Sequence, residues 1–131
     1  MKTTGMLFVI LLCAGVSVSA FAQQKKPKKD GAKDTVITGE IVDVKCYLTG
    51  MMGGRGEDHK QCAVDCINGG LPVGILDSRT ERVYIVVPKK GMEGANKTLV
   101  QYAAQKVKLT GAVVEKGGSR LFIYTNVEEA K

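Results

Sequence analysis

The sequence predicts an all-β domain with minor helix, a small barrel of five strands. Three observations carry that expectation. Short runs alternate apolar and polar residues, as half-buried strands do. Sixteen Gly, three Pro and no Trp supply many turns and few large core side chains. Only two segments have the spacing of short helices. The chain has 131 residues, 44% of them hydrophobic and 24% charged, which fits one globular domain and excludes a wholly disordered chain or separate cofactor and substrate domains.

The elements follow in order. Residues 35–48, TVITGEIVDVKCYL, are β-branched and read as one long strand, with Gly39 marking a bend or bulge. Residues 71–77 and 81–87 read as a second and third strand, separated by the hairpin-sized Ser78-Arg79-Thr80. In the third strand Val83, Ile85 and Val87 alternate with Arg82, Tyr84 and Val86. Pro88 ends pairing there. Asn96 is placed to cap a helix over 97–105, with Leu99, Val100 and Ala103 inward. Residues 106–115 alternate cleanly. Gly117-Gly118 makes a turn, and Leu121, Ile123, Thr125 and Val127 are expected to form the inner face of the last strand.

This order, three strands, a helix, then two strands, is the connectivity of the OB-fold, a five-stranded Greek-key barrel. One helix lies between strands three and four. The first loop, residues 49–70, is long for a structureless connection. Within it, residues 57–67 read as a helix begun after Gly56 and ended by Asn68-Gly69-Gly70.

The N-terminal residues read differently. Residues 1–22 have the form of a Sec-type signal peptide: Lys2, the apolar run MLFVILLCA, then Ala20-Phe21-Ala22. Leu12 before Cys13 does not fit a lipoprotein cleavage site. The chain is therefore expected to be exported, periplasmic or secreted, with no transmembrane segment left after cleavage. Residues 23–34, QQKKPKKDGAKD, hold five Lys and no large apolar side chain, and read as a disordered tail. Much of the net charge of +6 sits there. Residues 35–131, the OB-fold-like domain, are nearly balanced.

The chemistry-bearing residues gather around the first loop. Cys46, His59, Cys62 and Cys66 lie within 21 positions. On a helix, His59, Cys62 and Cys66 fall at i, i+3 and i+7, on one face. Cys46 ends the first strand and would close the set. Three thiols and an imidazole suit tetrahedral Zn²⁺ or, through the thiolates, Cu(I). Met51 and Met52 would add thioethers that favour copper. Haem is not expected, since C-x-x-C-H is absent, and Sec export argues against an iron–sulfur cluster. Asp43, Glu57, Asp58 and Asp65 flank the set and read as solvated carboxylates.

A second reading stays open. Exported cysteines commonly pair. Cys46 with Cys62 or Cys66 would staple the loop to the first strand, contributing about 3 kcal/mol. One thiol would then be left over, for a dimer bridge or for redox chemistry.

The motifs G-x-I-V-D-x-x-C-Y-L (39–48), H-x-x-C-A-x-x-C (59–66), G-G-L-P-V-G-I-L (69–76) and V-x-L-T-G-x-V-V-E (107–115) resemble a group of small secreted bacterial OB-fold-like proteins with a Cys/His-bearing loop after the first strand. That resemblance implies the fold and the compartment and carries no catalytic residue.

Three function classes compete: a metal-binding module, a disulfide-stapled binding domain, and a thiol redox protein. No nucleophile elbow or phosphate-cradling glycine loop is present, so neither nucleotide binding nor catalysis is indicated. A His59–Cys62 dyad is the one catalytic arrangement conceivable. Nucleic acid ranks low as a partner, because stacking needs exposed aromatics and export removes the chain from it. Tyr84, Phe122 and Tyr124 are expected on the non-core side, as a small ligand face or a cover. The partner expected is a periplasmic protein or a small ligand.

Overall fold

The computed structural model describes residues 34–130. The expected signal peptide and all of the Lys-rich segment except Asp34 lie outside the described residues. Elements run in the order β1 (Thr35–Asp43), α1 (Val44–Thr49), α2 (Lys60–Asn68), β2 (Val73–Asp77), β3 (Val83–Pro88), α3 (Asn96–Leu99), β4 (Lys106–Lys116) and β5 (Ser119–Glu129). Short 3₁₀ turns at Met51–Gly53, Glu57–His59 and Val100–Tyr102 complete the list. The domain is mostly β, with a five-stranded mixed sheet and few helical residues.

The sheet closes on itself in the order β1-β2-β3-β5-β4. Closure depends on β1, which serves two neighbours. Residues 35–40 pair antiparallel with β4, and residues 39–43 pair antiparallel with β2. Gly39 pairs with both Asp77 and Val107. A Cβ at Gly39 would collide with the Leu76 carbonyl, so glycine permits this double approach. The parallel pair β3–β5 and the antiparallel hairpin β4–β5 complete the ring. Opposite Thr110 and Gly111, β5 carries one extra residue, Thr125, a bulge that bends β5.

The core fills the ring with Ile37, Ile41, Ile75, Tyr84, Val86, Leu109 and Phe122. Helix α2 adds Ala63 and Ile67, and the α3 segment adds Leu99 and Ala103. Full burial of each large aliphatic side chain is worth about 1.5–3 kcal/mol. The α3 segment is tied to β1 by Ala104 N–H donating to the Ile41 carbonyl at 2.8 Å and Ile41 N–H to the Gln105 carbonyl at 3.0 Å.

Four expectations are corrected. The first strand stops at Asp43 rather than Leu48, and α1 takes Val44–Thr49. The Asp43 side chain accepts from the Cys46 N–H, which favours a helical turn over the β-branched run. The helix expected over 97–105 is one α turn followed by a 3₁₀ turn. Asn96 does not cap it. Its side-chain amide instead donates to the Ile67 carbonyl at 2.8 Å and the Leu71 carbonyl at 2.7 Å, closing the C-terminal end of α2.

The fourth correction concerns facing. Tyr84, Val86 and Phe122 point into the core, whereas Val83, Ile85, Val87, Leu121 and Ile123 are only partly buried and Thr125 is exposed; Val127 packs against the core as expected. Both faces of β3 and much of β5 are apolar, so alternation alone left the phase undetermined. The larger aromatic side chains take the interior.

Candidate metal centre

The site is built where β1 ends. Asp43 is the N-cap of α1, with extended backbone (φ −74°, ψ 122°), and its Oδ1 accepts from the Cys46 N–H at 2.7 Å. This cap turns the chain and places Cys46 in the first turn of α1, fully buried. Gly50, at φ 68°, ends α1 and donates its N–H to the Cys46 and Tyr47 carbonyls. Gly54 packs its backbone directly on α1: a Cβ there would come within 2.7 Å of the Cys46 carbonyl oxygen. The return loop therefore lies flat against Cys46.

Helix α2 brings the other groups. Ala63 and Ile67, four apart, face the core. His59 continues that row one turn earlier, in the 3₁₀ turn that leads into α2, and is 1% exposed. Cys62 and Cys66 form the adjacent row and are half-buried. The expected helix over 57–67 is thus present as a 3₁₀ turn plus α2, and the shared face of His59, Cys62 and Cys66 turns toward Cys46.

All four expected ligands meet, but in two overlapping groups. Cys46, His59 and Cys62 offer ligand atoms within 4.8 Å of one another. Asp43, Cys46 and Cys66 do the same. Cys46 belongs to both. Ligand atoms around one tetrahedral zinc lie about 3.5–4 Å apart, so either group closes on an ion with small side-chain shifts. Cys66 Sγ is 3.8 Å from Cys46 Sγ, too long for a disulfide, and the three cysteines at 46, 62 and 66 are free thiols.

The electrostatics fit a site that lacks counter-charge of its own. Burial pushes the Cys46 thiol up from 9.0 to about 12, with further contributions from the Cys66 thiol and the Asp43 charge. Burial also raises Cys66, against a lowering contact from Cys46. Among the described residues, neither ring nitrogen of His59 has a hydrogen-bond partner, and neither does Asp43 Oδ2. Buried polar groups are almost always partnered, and leaving one unpartnered costs about 1–3 kcal/mol. Three such atoms lie in the Cys/His cluster, an arrangement compatible with a metal site.

Asp43 is the residue that reading the sequence missed. By sequence it reads like Glu57, Asp58 and Asp65, and those three are exposed. Asp43 is 0% exposed. The available signal was the spacing D-x-x-C: an aspartate three residues before a cysteine caps the helix that carries it. Met51 and Met52 stand in solvent, 46% and 70% exposed, rather than among the buried ligands. The aromatic face expected from Tyr84 and Phe122 is absent, since both are in the core. A surface cleft of about 460 Å³, lined by Thr35, Ile37, Asp77, Arg79 and Tyr84, lies at the start of β1 and contains no cysteine or histidine.

The chain matches no known protein-family model, no curated protein and no solved structure.

Proposed function

We propose that this protein is an exported, OB-fold-like module that binds one thiophilic metal ion, Zn²⁺ or Cu(I), through Cys46, His59, Cys62 and Cys66. One observation carries the reading. His59 is fully buried, has no partner for either ring nitrogen, and lies beside two thiols. An imidazole in that position gains a bond to an ion where it otherwise has only a desolvation cost. The strand order and the closed sheet support the OB-fold assignment, and the loop after β1 is one of the places where that fold carries ligands. The signal-like residues 1–22 support export, with the mature chain starting at Gln23.

The role proposed is binding, with the ion as structural centre or as cargo for a periplasmic partner. The test is a chelator-competition titration of the reduced protein and of His59→Ala. The variant should lose at least about tenfold in affinity. A second reading rests on the 3.8 Å approach of Cys46 and Cys66. If His59→Ala leaves affinity unchanged and the exported protein carries a Cys46–Cys66 disulfide, the loop is a stapled structural element or a redox pair.

A further inference from the structure

Asp43 has a second oxygen that the fold does not use. Its Oδ1 caps α1. Its Oδ2 is buried without a hydrogen-bond partner. None of the ion pairs among the described residues involves Asp43. A carboxylate taken out of water with no cation beside it costs several kcal/mol. Its close polar neighbours are the Cys46 and Cys66 thiols, which become anions when they bind metal. Carboxylate and thiolates would repel one another in a dry pocket unless a cation stood between them.

We propose that Asp43 is a ligand of the metal centre, binding through its free carboxylate oxygen beside Cys46 and Cys66, and that it makes the site select Zn²⁺ over Cu(I). The assignment rests on reading the cluster as a metal site. Carboxylate oxygen is a good ligand for divalent zinc and a poor one for monovalent copper, which prefers thiolate and thioether. Charge argues the same way. Each anion gathered at Cys46 is better compensated by a divalent ion, and the buried carboxylate adds one that Cu(I) does not need. The two methionines that would favour copper are turned to solvent. The two ligand groups overlap at Cys46, so a four-coordinate zinc held there would draw its ligands from these five residues, with Asp43 taking the place of one of the others.

The test exploits the two roles of the carboxylate. Asparagine caps helices as well as aspartate does, so Asp43→Asn keeps the acceptor for the Cys46 N–H and replaces the free oxygen with an amide nitrogen. Zn²⁺ and Cu(I) are titrated separately into the reduced full chain against chelators, for wild type and variant. Asp43→Ser, a second capping residue without a carboxylate, is measured alongside in case the asparagine amide disturbs packing. Zn²⁺ affinity should fall about tenfold or more in both variants, while Cu(I) affinity changes by less than about threefold. Unchanged Zn²⁺ binding, or equal losses for both ions, overturns the assignment and leaves Asp43 as a cap only. A wild-type chain that binds neither ion overturns the metal reading itself, and this assignment with it.

Discussion

Two buried aspartates end neighbouring strands of the same antiparallel ladder, one at each end, and the fold treats them in opposite ways. Asp77 closes β2, and Asp43 closes β1. Asp77 is 5% exposed, and both its oxygens are used: Oδ1 accepts from the Arg79 N–H at 2.9 Å, and Oδ2 from the Thr80 hydroxyl at 2.7 Å. Burial pushes its carboxyl up, but the Thr80 hydroxyl, the Arg79 amide and the Arg79 charge outweigh it and hold the group below its ordinary 3.8. Asp43 is more deeply buried and has only one oxygen in use. The first aspartate is consumed by its turn, whereas the second has capacity left over beside the Cys46 and Cys66 thiols. Binding capacity shows in this small domain as polar atoms that folding does not satisfy.

The largest effect should come from Cys46, which belongs to both ligand groups. Cys46→Ser should lower metal affinity by roughly 100-fold or more, read by chelator competition. Asp77→Ala should leave that affinity within about twofold but lower unfolding stability by about 1–2 kcal/mol in urea, because it removes the hydrogen bonds from the Arg79 amide and the Thr80 hydroxyl. A variant at Asp77 that weakened metal binding would erase the distinction between the two ends.

A sharper contrast comes from His59. Replacing a buried, unpartnered polar side chain with an apolar one of similar size removes a desolvation cost. His59→Leu should therefore keep the stability of the metal-free protein within about 1 kcal/mol of wild type, or raise it, while abolishing the gain that metal gives. A large loss of stability in the metal-free variant would mean that His59 is a satisfied core residue.

Smaller effects should appear in pH dependence. Asp77 has a lowered folded value, so its contribution is present above 3.8 and is lost as pH falls through the folded value. Asp77→Asn should flatten the acid limb of the stability curve. Cys46 has a raised folded value. Its contribution in the metal-free, reduced protein is present below 9.0 and is lost as pH rises toward about 12. Cys46→Ser should flatten the alkaline limb. Metal binding runs the other way: affinity should rise with pH, because each thiol ligand must release a proton.

Much of this was legible in the sequence. The strand runs, the Ser78–Thr80 hairpin and the gathering of Cys46, His59, Cys62 and Cys66 all follow from spacing and periodicity. What was not legible had local causes. The run VDVKCYL reads as extended because Val42, Val44 and Tyr47 favour strands, yet one cap by Asp43 and one αL glycine at Gly50 make Val44–Thr49 a helix. Strands with two apolar faces carry no phase signal, so the interior positions of Tyr84 and Phe122 emerge only when the sheet closes. Asn96 spends its amide on α2, 25–29 residues away, which no local rule reports. Asp43 read as solvated because the burial of a carboxylate is set by tertiary packing, which the local sequence does not report.

The central claim is that the unpartnered groups around Cys46 hold an ion, and native mass spectrometry of the purified protein tests it most directly. One spectrum reports both bound metal and thiol state. The account predicts a chain carrying one metal ion, reduced at Cys46, Cys62 and Cys66, that loses the ion when Cys46 is replaced by serine. A metal-free chain lighter by two hydrogens, with Cys46 joined to Cys66 and no ion taken up after reduction, would contradict it.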